Sequence, residues 1–194
     1  MNKKLKIIIG NNAYPDDEII CKTSNLKKYE CYKFYRYFNE VAFVTNKVYP
    51  HKFAFENILN LIYYNHNINV RKKYYKIIKD IGWEKFVDYL YKVENIVLIN
   101  QVEINVNMLK KTSKNYNSFK YQMVENAASI LTCGKEAKTK MNNIEKYYFF
   151  RDVLKVSNSV HPSPHRTTLQ DRKYVHDWVC INSANNYKKD FMIN

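Results

Sequence analysis

The stretch that decides the fold is residues 5–12, which read LKIIIGNN. Apolar residues dominate its first half, and the run stops at Gly10, which two asparagines follow. A short apolar run bounded by a glycine is typical of a strand that is buried on both faces of a sheet. The sequence therefore predicts a first strand at residues 5–9, with a polar loop at its carboxyl end.

Similar runs predict further strands along the chain. They are VAFVT (41–45), NIVLIN (95–100), ASILTC (128–133) and DVLKVSNSV (152–160). Two of these runs end in a turn signal, since NIVLIN ends in an asparagine and Gly134 follows ASILTC. Each of the runs is short enough for a single strand of a sheet.

Helices are predicted between these strands. Apolar side chains recur three and four residues apart in the segments 55–63, 74–81, 83–90, 116–124 and 175–179, and KEAKTKM (135–141) begins another helix. Alternating strands and helices indicate a parallel sheet that helices cover on both sides. We expect an α/β fold in one domain over residues 1–194, with three α/β/α layers and a central, mostly parallel sheet of four to five strands.

The composition favours a soluble protein. Hydrophobic residues make up 46% of the 194 residues and aromatic residues 15%, which suffices for one well-packed core. No apolar run reaches the roughly 20 residues that a membrane helix needs, and the N-terminal run is too short for a signal peptide. The four cysteines form no CxxC pair, so we expect reduced thiols and no metal. These features predict a soluble protein of the cytoplasm, or of the nucleus in a eukaryote, and we expect it to be a monomer.

The charge of the chain points to a polyanionic partner. Lysine and arginine total 32 against 18 acidic residues, which gives a net charge of +14. Such an excess is typical of proteins that bind nucleic acid. Codon bias is the alternative explanation, because lysine, asparagine, isoleucine and tyrosine are abundant together. The charge alone does not separate the two.

Polar residues cluster where three of the predicted strands end. Asn11 and Asn12 follow the first strand, Asn100 ends the third, and His161 follows the last within HPSPHR (161–166). Ligands of open parallel sheets bind beyond the carboxyl ends of the strands. The sequence therefore predicts a functional site at this edge.

Four segments follow one another along the chain: GNNAYP (10–15), VLIN (97–100), ILTCGKEAKTKM (130–141) and HPSP (161–164). In this order they resemble motifs of the uracil-DNA glycosylase superfamily. The resemblance implies a monofunctional DNA glycosylase that needs no metal or cofactor. Its expected substrate is uracil in single- or double-stranded DNA, and its expected product is an abasic site.

The resemblance also implies individual roles. It assigns catalysis to Asn12 and His161, substrate contacts to Asn11, Tyr14, Tyr49 and Asn100, and DNA contacts to Ser163, His165 and Arg166. The Asn12 amide is expected to hold the attacking water, and His161 to donate a hydrogen bond to uracil O2. Asn100 is expected to read N3–H and O4, and Tyr14 to exclude the methyl group of thymine. Phe43 is an alternative to Tyr49 as the ring that stacks on uracil.

The sequence departs from the family pattern in several places. Asn12 stands where classical members have aspartate, and an amide positions water without taking its proton. Ala13 replaces a proline, Pro15 a histidine, and His165 the leucine that enters the base stack. We therefore expect a slower enzyme than the aspartate type.

Other interpretations of these residues stay open. A catalytically weak DNA-binding scaffold with the same fold is the main alternative. A nucleotide-binding enzyme is disfavoured because the chain has no GxGxxG loop. Asn11 and Asn12 are also typical of a helix cap or a turn. Ordinary surface positions are expected for the remaining histidines, His51, His66 and His176.

Overall fold

A computed structural model describes residues 4–11, 21–44, 58, 80–104, 127–145 and 155–159. The predicted helices at 116–124 and 175–179 lie outside these residues, and those at 55–63 and 74–81 lie mostly outside them. The described residues contain the strand ends from which the predicted site starts, and of the predicted site residues they contain Asn11 and Asn100.

The described strands form one parallel sheet. They are β1 (Leu5–Gly10), β2 (Ile96–Asn100), β3 (Ala127–Cys133) and β4 (Lys155–Ser159). Their order across the sheet is β2-β1-β3-β4, and every neighbouring pair is parallel. β1 pairs on both sides and is buried along its whole length, as its apolar sequence predicts. A parallel sheet combined with helices confirms the predicted α/β class.

Helices connect and cover the strands. The described α-helices are α1 (Tyr32–Tyr35), α2 (Trp83–Tyr89) and α3 (Lys135–Glu145), with 3-10 turns at Thr23–Leu26 and Gln101–Glu103. α2 continues into a π-helical turn at Leu90–Glu94, which confirms the predicted helix over 83–90. None of the helices described is long and apolar enough to cross a membrane.

The π-helical turn leads directly into β2. Asn95 follows it in the left-handed conformation, with φ of 58°, and donates its N–H to the carbonyl of Leu90. Asparagine tolerates this conformation better than most residues, and it commonly ends helices in this way. The left-handed residue therefore ends the helical segment, and β2 begins at the next residue.

The prediction of a strand at 41–45 is wrong for its described part. Residues 41–44 are irregular, and Phe43 has a φ of 65°, which no strand residue adopts. The segment is apolar because it is buried against the edge of β2. Ala42 donates its N–H to the carbonyl of Leu98 over 3.3 Å, and the Leu98 N–H donates to the Tyr35 hydroxyl over 2.8 Å. This segment and α1 therefore cover an otherwise open sheet edge.

The core fills the space around the sheet. Ile7, Ile8 and Ile9 of β1 are fully buried, and three free cysteines lie among the buried residues: Cys21, Cys31 and Cys133. Burial raises the pKa of the Cys133 thiol to about 12. A thiol with so high a pKa stays protonated and unreactive at neutral pH, so these side chains serve as small core residues.

Candidate active site at the carboxyl edge of the sheet

Four strand ends meet at one edge of the sheet. Gly10, the last residue of β1, pairs in register with Asn100, the last residue of β2. Cys133 and Ser159 end β3 and β4 as a second register pair. The predicted polar positions after β1, β2 and β4 thus start from the same edge, where open parallel sheets bind ligands.

Gly10 lies directly beneath two of the candidate side chains. A Cβ atom at this position would lie 2.6 Å from Cζ of Phe43 and 3.0 Å from Oδ1 of Asn100. The first distance is shorter than real Cβ contacts and the second is unusually tight, so glycine is what lets the ring and the amide approach the strand together. Phe43 is therefore the aromatic residue that the described structure places beside Asn100, whereas Tyr49 lies outside the described residues.

Phe43 holds an unfavourable backbone conformation. A left-handed φ costs a residue with a side chain about 1–2 kcal/mol. The ring is 5% exposed, so surrounding packing holds it on Gly10. Strain of this kind concentrates at functional sites, and here it fixes a ring next to a polar amide.

The amide of Asn100 is buried and held by a carboxylate. The side chain is 2% exposed, and its Nδ2 donates a hydrogen bond to Oε1 of Glu40. Glu40 is equally buried. An ionised carboxylate only accepts hydrogen bonds, so with Glu40 charged this contact fixes which end of the amide faces Glu40. No sequence pattern points to Glu40, since nothing in the sequence distinguishes a buried acid beside an apolar run from an exposed one.

A second carboxylate holds the segment that carries Glu40. Oε2 of Glu103 accepts the N–H of Asn39 over 2.8 Å. The pKa of Glu103 is raised from its usual 4.5, mainly because burial disfavours the charge, while hydrogen bonds from the backbone of Asn39 and Glu40 oppose the shift. Glu103 thus ties the chain after β2 to residues 39–40.

We expect Glu103 to make stability depend on pH. Its folded pKa lies above 4.5, so the folded state binds the proton more tightly than the unfolded chain does. The resulting stabilisation is complete below the unfolded pKa and is lost as pH rises through the folded pKa. Urea unfolding of the wild type and of Glu103→Gln between pH 3.5 and pH 7 measures this, and the wild type should gain stability over the variant as pH falls. A relative gain on raising the pH would contradict the assignment.

Asn11 contacts the start of α3. Its Oδ1 accepts the N–H of Ala137 over 3.3 Å, in the first turn of the helix. The side chain also packs on Gly134, where a Cβ would lie 2.7 Å from the same oxygen and where φ is 100°. This contact is of the helix-capping kind and joins the end of β1 to the turn after β3. The substrate contact predicted for Asn11 stays a prediction.

The remaining predicted site residues lie outside the described residues. They are Asn12, Tyr14, Tyr49, His161, Ser163, His165 and Arg166. In the sequence, His161 follows the end of β4 at Ser159 by two positions. Near that end, the buried Thr132 donates its hydroxyl to Oδ1 of the exposed Asn158 over 2.6 Å. Within the described part of the chain, no group of three His, Cys, Asp or Glu residues is placed to hold a metal ion.

The described part of the site has a definite chemical character. An aromatic ring and an amide, those of Phe43 and Asn100, lie together over Gly10, and both residues are almost fully buried. No family model, no curated protein and no solved structure matches the chain.

Proposed function

We propose that the protein is a monofunctional DNA glycosylase that flips uracil out of DNA and hydrolyses its N-glycosidic bond, leaving an abasic site. The observation that carries the proposal is the packing of the Asn100 amide and the Phe43 ring over Gly10, at the carboxyl ends of β1 and β2. The order of the motifs along the sequence supports it, and so does the net charge of +14.

Asn100 and Phe43 supply what recognition of uracil needs. Uracil presents an N3–H donor and an O4 acceptor, which match the amide oxygen and nitrogen of Asn100. Cytosine presents the opposite pattern and leaves both partners mismatched. Stacking on the Phe43 ring contributes about 1–3 kcal/mol to base binding. Asn100 is 2% exposed and Phe43 is 5% exposed. A base can therefore bind only if both side chains become more accessible than they are in this structure.

The proposed chemistry uses two residues from the flanking motifs. Bond cleavage produces a cation-like sugar and a uracil anion. The amide of Asn12 holds a water against C1′ by positioning alone, since an amide takes no proton at neutral pH. His161 donates a hydrogen bond to uracil O2 as negative charge develops there, and the prolines on either side of Ser163 stiffen its loop.

The proposed DNA contacts come from the end of the second motif. Ser163 binds a phosphate, while His165 and Arg166 touch phosphate or enter the space that the flipped base leaves. Tyr14 fills the space beside C5 of the base and excludes thymine. We also propose that the whole chain forms one three-layer α/β/α domain with four to five strands, and that it acts as a monomer in the cytoplasm or nucleus.

A base-release assay tests the proposal. The wild type is incubated with single-stranded and U:G duplex oligonucleotides, and alkali-labile sites are mapped. We expect cleavage at uracil alone, and Asn12→Ala should slow it because the attacking water loses its partner. No release from either substrate contradicts the proposal.

A second candidate is a catalytically weak DNA-binding scaffold with the same fold. The observation in its favour is the sequence of the first motif, where Asn12, Ala13 and Pro15 all depart from classical members. Salt-sensitive DNA binding that is indifferent to uracil, without turnover, would identify this function instead.

A further inference from the structure

We infer that Glu40 is a positioning residue that sets base specificity by fixing the orientation of the Asn100 amide. The inference deepens the proposed function and rests on it. It starts from the hydrogen bond that Nδ2 of Asn100 donates to Oε1 of Glu40.

An asparagine amide has two orientations of nearly equal shape. They differ by exchange of the oxygen and the NH₂ group, and therefore by exchange of an acceptor and a donor. In the orientation observed, the nitrogen of Asn100 faces a carboxylate that only accepts. While Glu40 is ionised, the flipped orientation would bring two acceptor oxygens together in a buried place, which is strongly unfavourable. Glu40 therefore restricts Asn100 to one of its two donor–acceptor patterns.

The backbone around Glu40 is held on both sides. Lys22 and Glu40 form an antiparallel bridge, and Val41 donates its N–H to the carbonyl of Cys21 over 3.0 Å. The Glu103 carboxylate accepts backbone N–H groups from Asn39 and Glu40. These backbone hydrogen bonds restrict the movement of Glu40. Its carboxylate is therefore suited to orient another side chain.

The fixed orientation matches one base and rejects another. With one amide hydrogen on Glu40, Asn100 keeps Oδ1 and its second amide hydrogen for the base. Oδ1 accepts from N3–H of uracil, and the remaining hydrogen reaches O4. The flipped amide would instead donate to N3 of cytosine and accept from its amino group. The choice between uracil and cytosine thus depends on a residue that does not touch the base.

Replacement of Glu40 by glutamine tests this. A glutamine amide both donates and accepts, so it pairs with either orientation of Asn100 while keeping the size of the side chain. We expect the ratio of kcat/KM for uracil over cytosine to fall by about 10-fold or more. An unchanged ratio in folded Glu40→Gln overturns the inference, because a merely structural role would lower both rates together.

Glu94→Gln is the matched control. Glu94 is a buried carboxylate, 3% exposed, that accepts from the Tyr89 hydroxyl over 3.3 Å. It precedes the amino end of β2, whereas Asn100 ends the strand. The same chemical change there should leave the uracil-to-cytosine ratio unchanged. A fall of the ratio in Glu94→Gln equal to that in Glu40→Gln would also overturn the inference.

A measurement on the wild type covers the case in which Glu40→Gln does not fold or uracil is not released. NMR follows hydrogen exchange of the Asn100 side-chain NH₂ group. We expect exchange about 10-fold or more slower than in exposed asparagines, because one hydrogen is bound to Glu40 in the interior. Fast exchange overturns the inference about Glu40, whereas slow exchange without uracil release supports the orientation and contradicts the proposed function.

Discussion

Replacing His161 with alanine is expected to slow uracil release by about 100- to 1000-fold. The departing base takes up negative charge at O2, and a donor that is already in place stabilises that charge without reorganisation. β4 ends at Ser159, at the edge where Gly10 and Asn100 lie side by side, and His161 follows two positions later in the sequence. Single-turnover release from a uracil oligonucleotide, with enzyme in excess, isolates the chemical step from product release.

The matched control is His66→Ala. The sequence places this histidine in no motif, and we expect its removal to leave the rate unchanged. Circular dichroism of both variants excludes a folding defect as the cause of a slower rate. Folded His161→Ala that releases uracil at the rate of the wild type would remove this residue from the proposed mechanism.

The sequence predicts β1, β2 and β3 well because these strands are short, mostly apolar and buried along almost their whole length. β1 is such a case: an apolar run that ends at a glycine admits few other structures. The run at 41–45 has the same appearance but is irregular over its described residues, because apolar composition reports burial and not backbone conformation. The segment 41–44 differs from β1 in the left-handed conformation of Phe43. No composition rule predicts a phenylalanine at φ of 65°.

Part of the site was predictable from the same reasoning. Strand ends of a parallel sheet share an edge, so the meeting of Gly10 and Asn100 follows once the strands are recognised. Glu40 was not predictable, because it lies 60 positions before Asn100 and the tertiary packing alone brings them together. Acidic residues are almost never fully buried without a partner, so a sequence-based expectation places Glu40 on the surface.

The irregular backbone of residues 41–44 allows Glu40 and Phe43 to reach the site. Residues 41–44 do not pair regularly with β2, although Ala42 donates its N–H to the carbonyl of Leu98. In this conformation, the chain places the Glu40 carboxylate on the Asn100 amide and the Phe43 ring on Gly10. A regular strand would send neighbouring side chains to alternate faces, and it would not allow the φ of Phe43. The departure from the predicted strand is therefore what assembles the described part of the site.

Gly10→Ala tests this arrangement through packing. The new Cβ would lie 2.6 Å from Cζ of Phe43 and 3.0 Å from Oδ1 of Asn100, so the ring has to shift. Overpacking of this kind costs about 1–3 kcal/mol of unfolding free energy. Displacement of the ring also removes stacking worth about 1–3 kcal/mol, so uracil release should fall about 10-fold or more. Urea unfolding and single-turnover release measure the two effects separately.

Two further variants separate the loss of stability from the loss of the ring. Gly82→Ala strains a glycine with φ of 86° ahead of α2, so it should cost about 1–3 kcal/mol of stability and leave uracil release unchanged. Gly10→Ala combined with Phe43→Leu removes the clashing ring atom, so it should regain stability over Gly10→Ala without regaining uracil release. If the double variant recovered the wild-type rate, Phe43 would be a packing residue and another aromatic side chain would have to stack on the base.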